Sequence, residues 1–179
     1  NGARSMAGIL SGRINPSGKL AITFPYSTGQ IPIYYNRRKS GRWHQGFYKD
    51  ITSDPFYSFG HGLSYTEFQY GVVTPSSTTV KRGEKLSVEV TVTNVGKRDG
   101  AETVHWFISD PYCSITRPVK ELKHFEKQFI KVGETRTFRF DVDLERDLGF
   151  VDGNGKRFLE AGEYNIWVQD QKVKIELID

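Results

Sequence analysis

A regular alternation of apolar and polar residues, which begins near residue 68, is the feature that most constrains how this chain can fold. Five runs in which every second residue is apolar lie at 86–93, 103–108, 137–142, 164–168 and 173–177. Successive side chains of a β-strand point to opposite faces, so each run predicts a strand with one buried and one solvated face. Such strands become stable when they pair into sheets whose apolar faces pack together.

The number and spacing of these runs define the class of fold. Segments at 70–73 and 121–130 raise the total to about seven strands within roughly 110 residues, the size of an immunoglobulin-like or fibronectin-like sandwich. Gly153-Asn154-Gly155 adds a hairpin signal. We therefore predict a mainly β fold, with an immunoglobulin/fibronectin type III-like β-sandwich over residues 68–179 that follows a short α/β segment.

The first 25 residues follow a different pattern. Apolar residues at 3, 6, 7 and 10 have the spacing of a helix with one buried face, and Gly12 stands where a helix C-terminus favours left-handed geometry. Residues 20–24 predict a strand that Pro25 ends. Since one helix and one strand cannot enclose a core, we interpret residues 1–25 as a fragment of another domain.

The segment between these parts, residues 26–67, has no sustained period up to residue 55 and then becomes apolar. A loop of this length is uncommon inside a compact domain, which favours a docking segment that packs along another surface. Its last part, DPFYSFGHGLSYTEF at 54–68, is too apolar for a solvated linker. We expect a structural role between domains for Phe56, Phe59, His61, Leu63 and Tyr65.

Three motifs stand out along the chain: GRINPSGKLAITFP at 12–25 with GQIPIYYN at 29–36, the junction at 54–68, and PVKELKHFEK at 118–127. Together they resemble glycoside hydrolase family 3, the β-glucosidase and β-xylosidase family. The resemblance implies a C-terminal remnant of an α/β sandwich domain at 1–25, a docking segment and junction at 26–67, and a fibronectin type III-like domain at 68–179. Two departures are His61, where the family often has Tyr, and the basic stretch at 37–42.

The resemblance also implies an activity for the parent protein. Glycoside hydrolysis with retention needs two carboxyl groups about 5 Å apart. In the family these are an Asp from a barrel domain, within a Ser-Asp-Trp type motif, and a Glu from the upstream sandwich domain. Neither has a counterpart here: the Glu would lie upstream of the helix predicted near the start of the chain, and both Ser-Asp pairs, at Asp54 and Asp110, precede proline and predict turns. We expect a retaining β-glucosidase, or alternatively a β-xylosidase, as the parent, and no turnover by this chain alone.

The implied partners are the upstream catalytic domains of the same polypeptide and the β-linked oligosaccharide substrate of the parent enzyme. This chain would then stabilise and orient those domains. Its 179 residues exclude a (β/α)8 barrel, which takes roughly 250, and its first residue is Asn1 rather than Met, so we expect a truncated polypeptide. A periplasmic or extracellular location follows from the family alone, because the native N-terminus is expected to be missing.

Composition removes several other classes of protein. The net charge is only +4, and the basic stretch at 37–42 lacks a nucleic-acid fold signature, so we expect no nucleic-acid partner. No window of about 18 apolar residues predicts a membrane span. Cys113 is the single cysteine and the four histidines lack metal-ligand spacing, so we expect no disulfide, metal site or cofactor.

Aromatic residues in the docking segment leave one binding hypothesis open. Tyr35, Arg42 and Trp43 could stack on a sugar and bind its hydroxyls, or they could pack against neighbouring domains, and packing is the preferred interpretation. Two rival functions also stay open: a free-standing carbohydrate-binding or cell-surface adhesion module, and a small complete enzyme. The first would show glycan affinity without upstream sequence, and the second would need paired carboxylates with perturbed pKa in one cleft.

Overall fold

The computed structural model of the chain describes residues 2–38, 52 and 54–179. A helix, α1 (Gly2–Leu10), and a 3-10 turn (Thr28–Gln30) precede the strands. The strands are β1 (Phe68–Tyr70), β2 (Thr74–Pro75), β3 (Thr79–Lys81), β4 (Leu86–Asn94), β5 (Gly100–Ser109), β6 (Glu121–Ile130), β7 (Thr135–Val142), β8 (Phe150–Val151), β9 (Arg157–Phe158), β10 (Gly162–Val168) and β11 (Gln171–Ile178). The mainly β prediction is confirmed.

The strands form two packed sheets and one hairpin. β4 is the centre of the first sheet, with β7 along one edge and β1 and β2 in succession along the other. The second sheet has the order β3-β11-β10-β5-β6, and within it the β3–β11 pair is parallel. β8 and β9 pair with each other across a turn in which Gly155 has a φ of 78°. This arrangement confirms the predicted sandwich and the predicted hairpin.

The core lies between the sheets and is built from the inward residues of the predicted runs. Val88, Val90 and Val92 of β4 are buried, whereas Glu89 and Thr91 between them reach solvent. The largest fully buried side chains include Trp106, Phe138, Phe140 and Tyr164. Full burial of one such side chain contributes about 1.5–3 kcal/mol, so the sandwich encloses a substantial core of its own.

A buried tyrosine fixes the chain where it enters β10. The Tyr164 hydroxyl donates to the Glu160 carbonyl oxygen at 2.7 Å, a tyrosine corner of the kind that occurs in such sandwiches. Burial raises the pKa of Tyr164 to about 12, and the Asp110 carboxylate is the second cause of the rise. The hydroxyl therefore keeps its proton at neutral pH and stays a donor.

The predicted buried face of the first helix is wrong for the described residues. Met6 is 67% exposed and Leu10 is 80% exposed, whereas Gly8 is buried. Gly12 does follow the end of the helix with a φ of 72°, as the sequence predicts. Helical spacing identifies an apolar face but cannot tell which part of a protein covers it, and the described part of the chain leaves this face open.

The strand predicted at 20–24 is also wrong. Phe24 forms a single antiparallel bridge with Tyr57, and the Leu20 carbonyl oxygen accepts a hydrogen bond from the Gly60 amide at 2.8 Å. A continuous β-ladder does not form, because the neighbouring segment of the same chain turns at Gly60, where φ is 82°. The segment is held by isolated backbone bonds instead.

Candidate functional site

We term the described residues before β1 the leading segment. It meets the sandwich on β5, where the Phe59 ring lies 5.9 Å from the His105 ring and 6.2 Å from the Phe107 ring. Tyr35 stacks on Phe59 at 4.2 Å. Gly60 has a positive φ, which turns the backbone beside His105. This conformation would strain a residue with a side chain. These aromatic rings seat the leading segment on the sheet.

Tyr35, one of the three predicted sugar-binding residues, is held from two sides. Its ring meets Phe107 edge-on at 5.8 Å, and its hydroxyl accepts a hydrogen bond from the Leu122 amide at 3.4 Å. The Lys120 ammonium lies 4.7 Å from the centre of the Phe107 ring and covers that ring as well. The stacked ring and the hydroxyl of Tyr35 are thus already engaged by the protein.

A buried carboxylate forms a second attachment between the two parts. Glu102 of β5 is buried, and its Oε1 lies 2.9 Å from the Lys19 ammonium of the leading segment. The Tyr70 hydroxyl of β1 donates to the same oxygen at 2.8 Å. Burial, followed by the Glu102 carboxylate, raises the pKa of Tyr70 far above its usual range, so the phenol remains protonated. One carboxylate therefore joins the leading segment, β1 and β5.

His105 lies beside this cluster, and the charged groups of the cluster contribute to a shift in its pKa. Burial lowers the pKa of His105, the Lys19 ammonium lowers it further, and the Glu102 carboxylate opposes the change. The imidazole is consequently neutral at neutral pH, which suits its packing against Phe59. A charged imidazole at this contact would lose hydration without gaining an adequate partner.

A buried asparagine binds the junction to the sandwich. Asn94, at the end of β4, is fully buried, and its Oδ1 accepts a hydrogen bond from the Thr66 hydroxyl at 2.7 Å. Its Nδ2 donates to the Arg98 carbonyl oxygen at 2.7 Å and to the Ile130 carbonyl oxygen at 3.0 Å. Both ends of the amide are thus satisfied, and Thr66 is fixed on the sandwich.

A second asparagine ties the early part of the leading segment to the same place. Asn15 Oδ1 accepts from the Tyr65 amide at 2.8 Å, and its Nδ2 donates to the Asp99 carbonyl oxygen at 3.0 Å. Arg98 donates to the Gly12 carbonyl oxygen at 2.7 Å and lies 5.7 Å from the centre of the Tyr65 ring. The end of α1, the junction and the β4–β5 turn therefore form one connected unit.

The other predicted site residues are placed as follows. Phe59 is half-buried, whereas Phe56 and Tyr65 are exposed and Leu63 is 74% exposed. His61 is exposed and stacks on Tyr57 at 4.7 Å. Arg42 and Trp43 lie outside the described residues.

A cleft of about 440 Å³ opens between the leading segment and the sandwich. Its walls include the Tyr35 and Phe59 rings and the charged groups of Lys19, Glu102 and Asp170. Sites for small ligands usually measure about 300–1,000 Å³ and combine apolar walls with a few polar groups. The cleft has this size and character, and Tyr35 borders it.

Sequence reasoning missed the residues that attach the leading segment, namely Asn15, Lys19, Tyr70, Asn94 and Glu102. Glu102 did offer a signal, because it occupies an inward position of β5, where a carboxylate needs a partner. Asn94 offers the same signal at the end of β4. Asn15 and Lys19 lie in irregular chain, where no period indicates which side chains turn toward a neighbour.

Within the described ranges, no group of three or more His, Cys, Asp and Glu residues could hold a metal ion, and no helix has the length and apolar character needed to cross a membrane. Asp110 confirms its turn prediction, since it accepts from the Tyr112 amide at 3.1 Å. It also pairs with Arg117 at 3.2 Å, which gives it a structural task.

Two sequence families match different parts of the chain. Residues 1–65 match the glycosyl hydrolase family 3 C-terminal domain, and residues 102–172 match the fibronectin type III-like domain. Their order agrees with the three motifs of the sequence. The chain belongs to glycoside hydrolase family 3 and corresponds to the C-terminal part of its members.

Individual relatives agree with this assignment. The periplasmic β-glucosidase of Salmonella typhimurium is 40% identical over 98% of this chain, which covers 24% of that protein. A putative β-xylosidase of Formosa agariphila is 36% identical over 96% of this chain and is covered to 22%. The solved β-glucosidase of Erythrobacter marinus has a TM-score of 0.94 and 38% identity over 99% of this chain, which covers 24% of it. This chain spans about a quarter of these relatives, as expected for the C-terminal part of a larger polypeptide with upstream domains.

Proposed function

We propose that this chain is the non-catalytic C-terminal portion of a family 3 β-glucosidase and that it stabilises and orients the catalytic domains that precede it. The observation that carries the proposal is the attachment of the leading segment to the sandwich through Lys19, Glu102 and Tyr70. The leading segment matches a domain of the hydrolase family, so holding it on the sandwich holds that domain. Directional polar bonds suit this task, because they set an orientation as well as a contact.

The interdomain residues divide into two groups in this proposal. Phe59 faces the sandwich, whereas the exposed Phe56, His61, Leu63 and Tyr65 meet the catalytic domains. The proposed units are the end of the α/β sandwich domain at 1–25, the docking segment and junction at 26–67, and the fibronectin type III-like domain at 68–179. The start of β1 at Phe68 supports the last boundary.

The parent enzyme is proposed to remove a terminal β-linked glucose with retention. Relatives named as β-glucosidases support glucose, and the relative named as a β-xylosidase makes xylose the second candidate. The relative named as periplasmic supports a periplasmic or extracellular location, which cell fractionation with an antibody to the chain would check.

A sugar subsite at Tyr35, Arg42 and Trp43 is the weaker of two roles proposed for these residues. The cleft beside Tyr35 supports a subsite, whereas the contacts of its ring and hydroxyl support interdomain packing. Tyr35→Phe separates the two roles, because it keeps the stacking and removes the hydroxyl. An unchanged KM and an unchanged melting temperature in the parent enzyme would exclude a hydroxyl contact with substrate.

A chimera tests the proposed function directly. This chain replaces the matching C-terminal quarter of the Salmonella β-glucosidase, to which it is 40% identical. We expect the chimera to hydrolyse an aryl β-glucoside, and we expect the isolated chain and a Salmonella enzyme truncated at the same point to be inactive. A folded but inactive chimera, or an active truncated enzyme, would contradict the orienting role.

The rival function, a free-standing carbohydrate-binding or adhesion module, is tested with the isolated chain. Titration calorimetry with cellobiose, laminaribiose and xylobiose should show no heat of binding if the chain acts through its neighbours. Saturable binding that Tyr35→Ala abolishes would favour the binding module instead.

A further inference from the structure

Two phenylalanines on the last strand of the five-stranded sheet lack cover among the described residues. Phe125 is 63% exposed and Phe129 is 57% exposed. They are four residues apart on β6, so they lie on the same face of that strand. β6 is an edge strand, and neighbouring exposed aromatic rings on such a strand favour association with another surface.

This surface continues the contact that the leading segment makes with β5. Phe125 pairs with His105 across the sheet, with the rings 6.4 Å apart, and His105 in turn contacts Phe59. Between the two phenylalanines, Lys127 donates to the Ser17 carbonyl oxygen at 3.1 Å. The leading segment thus covers one part of this face and leaves Phe125 and Phe129 open.

On its other side the surface borders the end of the first helix. Phe129 lines a recess of about 510 Å³ together with Gly12 and Arg13, which follow α1. The apolar Met6 and Leu10 of α1 are themselves exposed. A body that covered α1 and filled the recess would reach Phe129, and the part of the polypeptide upstream of this chain is joined directly to α1.

We propose that Phe125 and Phe129 form a second docking surface, which the upstream catalytic portion of the same polypeptide occupies. The proposal rests on the proposed function, because it requires those upstream domains. Arg13 and Lys127 place positive charge beside the rings, so the docked surface is apolar and bears carboxylates. A second copy of the chain is the competing occupant.

Site-specific photocrosslinking in the polypeptide that includes the upstream sequence tests the surface. p-Benzoylphenylalanine replaces Phe129, and in a matched control it replaces the exposed Tyr112, in the loop at the opposite end of β5 and β6. We expect an intramolecular crosslink from position 129 to a peptide upstream of Asn1, in clear excess over position 112. A crosslink between two copies, or a yield no higher than that of the control, would overturn the proposal.

Thermal unfolding of the variant Phe129→Ser tests the docking surface independently of crosslinking. In the 179-residue chain alone, the midpoint of thermal unfolding should change little, because more than half of the Phe129 side chain is already exposed. In the longer polypeptide the midpoint should fall by several degrees, because there the ring is covered. Equal shifts in both, or none in either, would contradict docking. Activity of the chimera is a separate readout, so an active chimera without the crosslink refutes the docking surface alone.

Discussion

The sandwich and the leading segment bury apolar surface in different ways. The sandwich packs Val88, Trp106 and Phe138 into a core between its own two sheets. The leading segment buries Ile33 but exposes Met6, Leu10 and Leu63 among the described residues. A part that exposes this much apolar surface is suited to contact another body, whereas the sandwich has the core of an independent folding unit.

The two parts also differ in the bonds that position them. Packing in the sandwich core depends on shape and area and has little direction. The leading segment is attached to the sandwich by Lys19 on Glu102 and by Asn15 on the Asp99 carbonyl oxygen, and both contacts need a defined geometry. The comparison teaches that one region supplies stability and the other transmits orientation, and the predictions below test this division.

The largest effect is expected from a core truncation. Phe138→Ala should lower the free energy of unfolding of the chain by about 3–5 kcal/mol, because it leaves a cavity between the sheets. The matched variant Met6→Ala, on the exposed face of α1, should change it by less than about 0.5 kcal/mol. Urea unfolding followed by Trp fluorescence measures both. Similar losses would erase the distinction between the two regions.

Phe59→Ala is expected to have an intermediate effect. The ring is half-buried against Tyr35 and His105, so its removal should cost about 2 kcal/mol, roughly half of the cost for a fully buried ring. In the parent enzyme the KM of correctly folded protein should stay nearly unchanged. Unaltered melting with a strongly raised KM would identify Phe59 as a binding residue instead.

The attachment at Glu102 is tested by a double-mutant cycle. Lys19→Met, Glu102→Gln and the double variant should give a coupling energy of about 1–2 kcal/mol, since the carboxylate is buried and the lysine is only partly exposed. The exposed pair of Arg82 and Asp179 is the matched control and should show little coupling. Equal coupling in the two pairs would mean that burial adds nothing to the attachment.

The smallest effect is a pH dependence at the aromatic contact. The pKa of His105 is lowered in the folded state, so the unfolded state binds a proton first as the pH falls below about 6.5. Stability should therefore decrease on acidification from about pH 7 to about pH 5.5, and His105→Gln should reduce this decrease. Denaturant midpoints of both proteins across that range measure the difference. If stability depended on pH in the same way in both proteins, His105 would be excluded as a source of the pH dependence.

The sequence predicts the sandwich well and the attachment poorly, for a physical reason. Val90 and Trp106 belong to strands in which alternate side chains point to the same face, so the local alternation of apolar residues reveals their burial. Lys19 meets Glu102 from 83 residues away, and nothing periodic indicates that pairing. The strand predicted at 20–24 is wrong for a similar reason: the local pattern does not show that the segment beside it turns at Gly60. The sugar-binding prediction for Tyr35 rests on the chemistry of its side chain, and those for Arg42 and Trp43, which lie outside the described residues, stay predictions.

Hydrogen exchange of backbone amides tests the central claim most directly, because it reads both regions in one experiment. In the isolated chain, amides of β4, β5 and β10 should exchange only through global unfolding, whereas the amides of Leu20 and Phe24 should exchange much faster. In the polypeptide with its upstream domains, Leu20 and Phe24 should become as protected as the strands. Equal protection of both regions in the isolated chain would contradict the account, because the leading segment would then need no upstream partner.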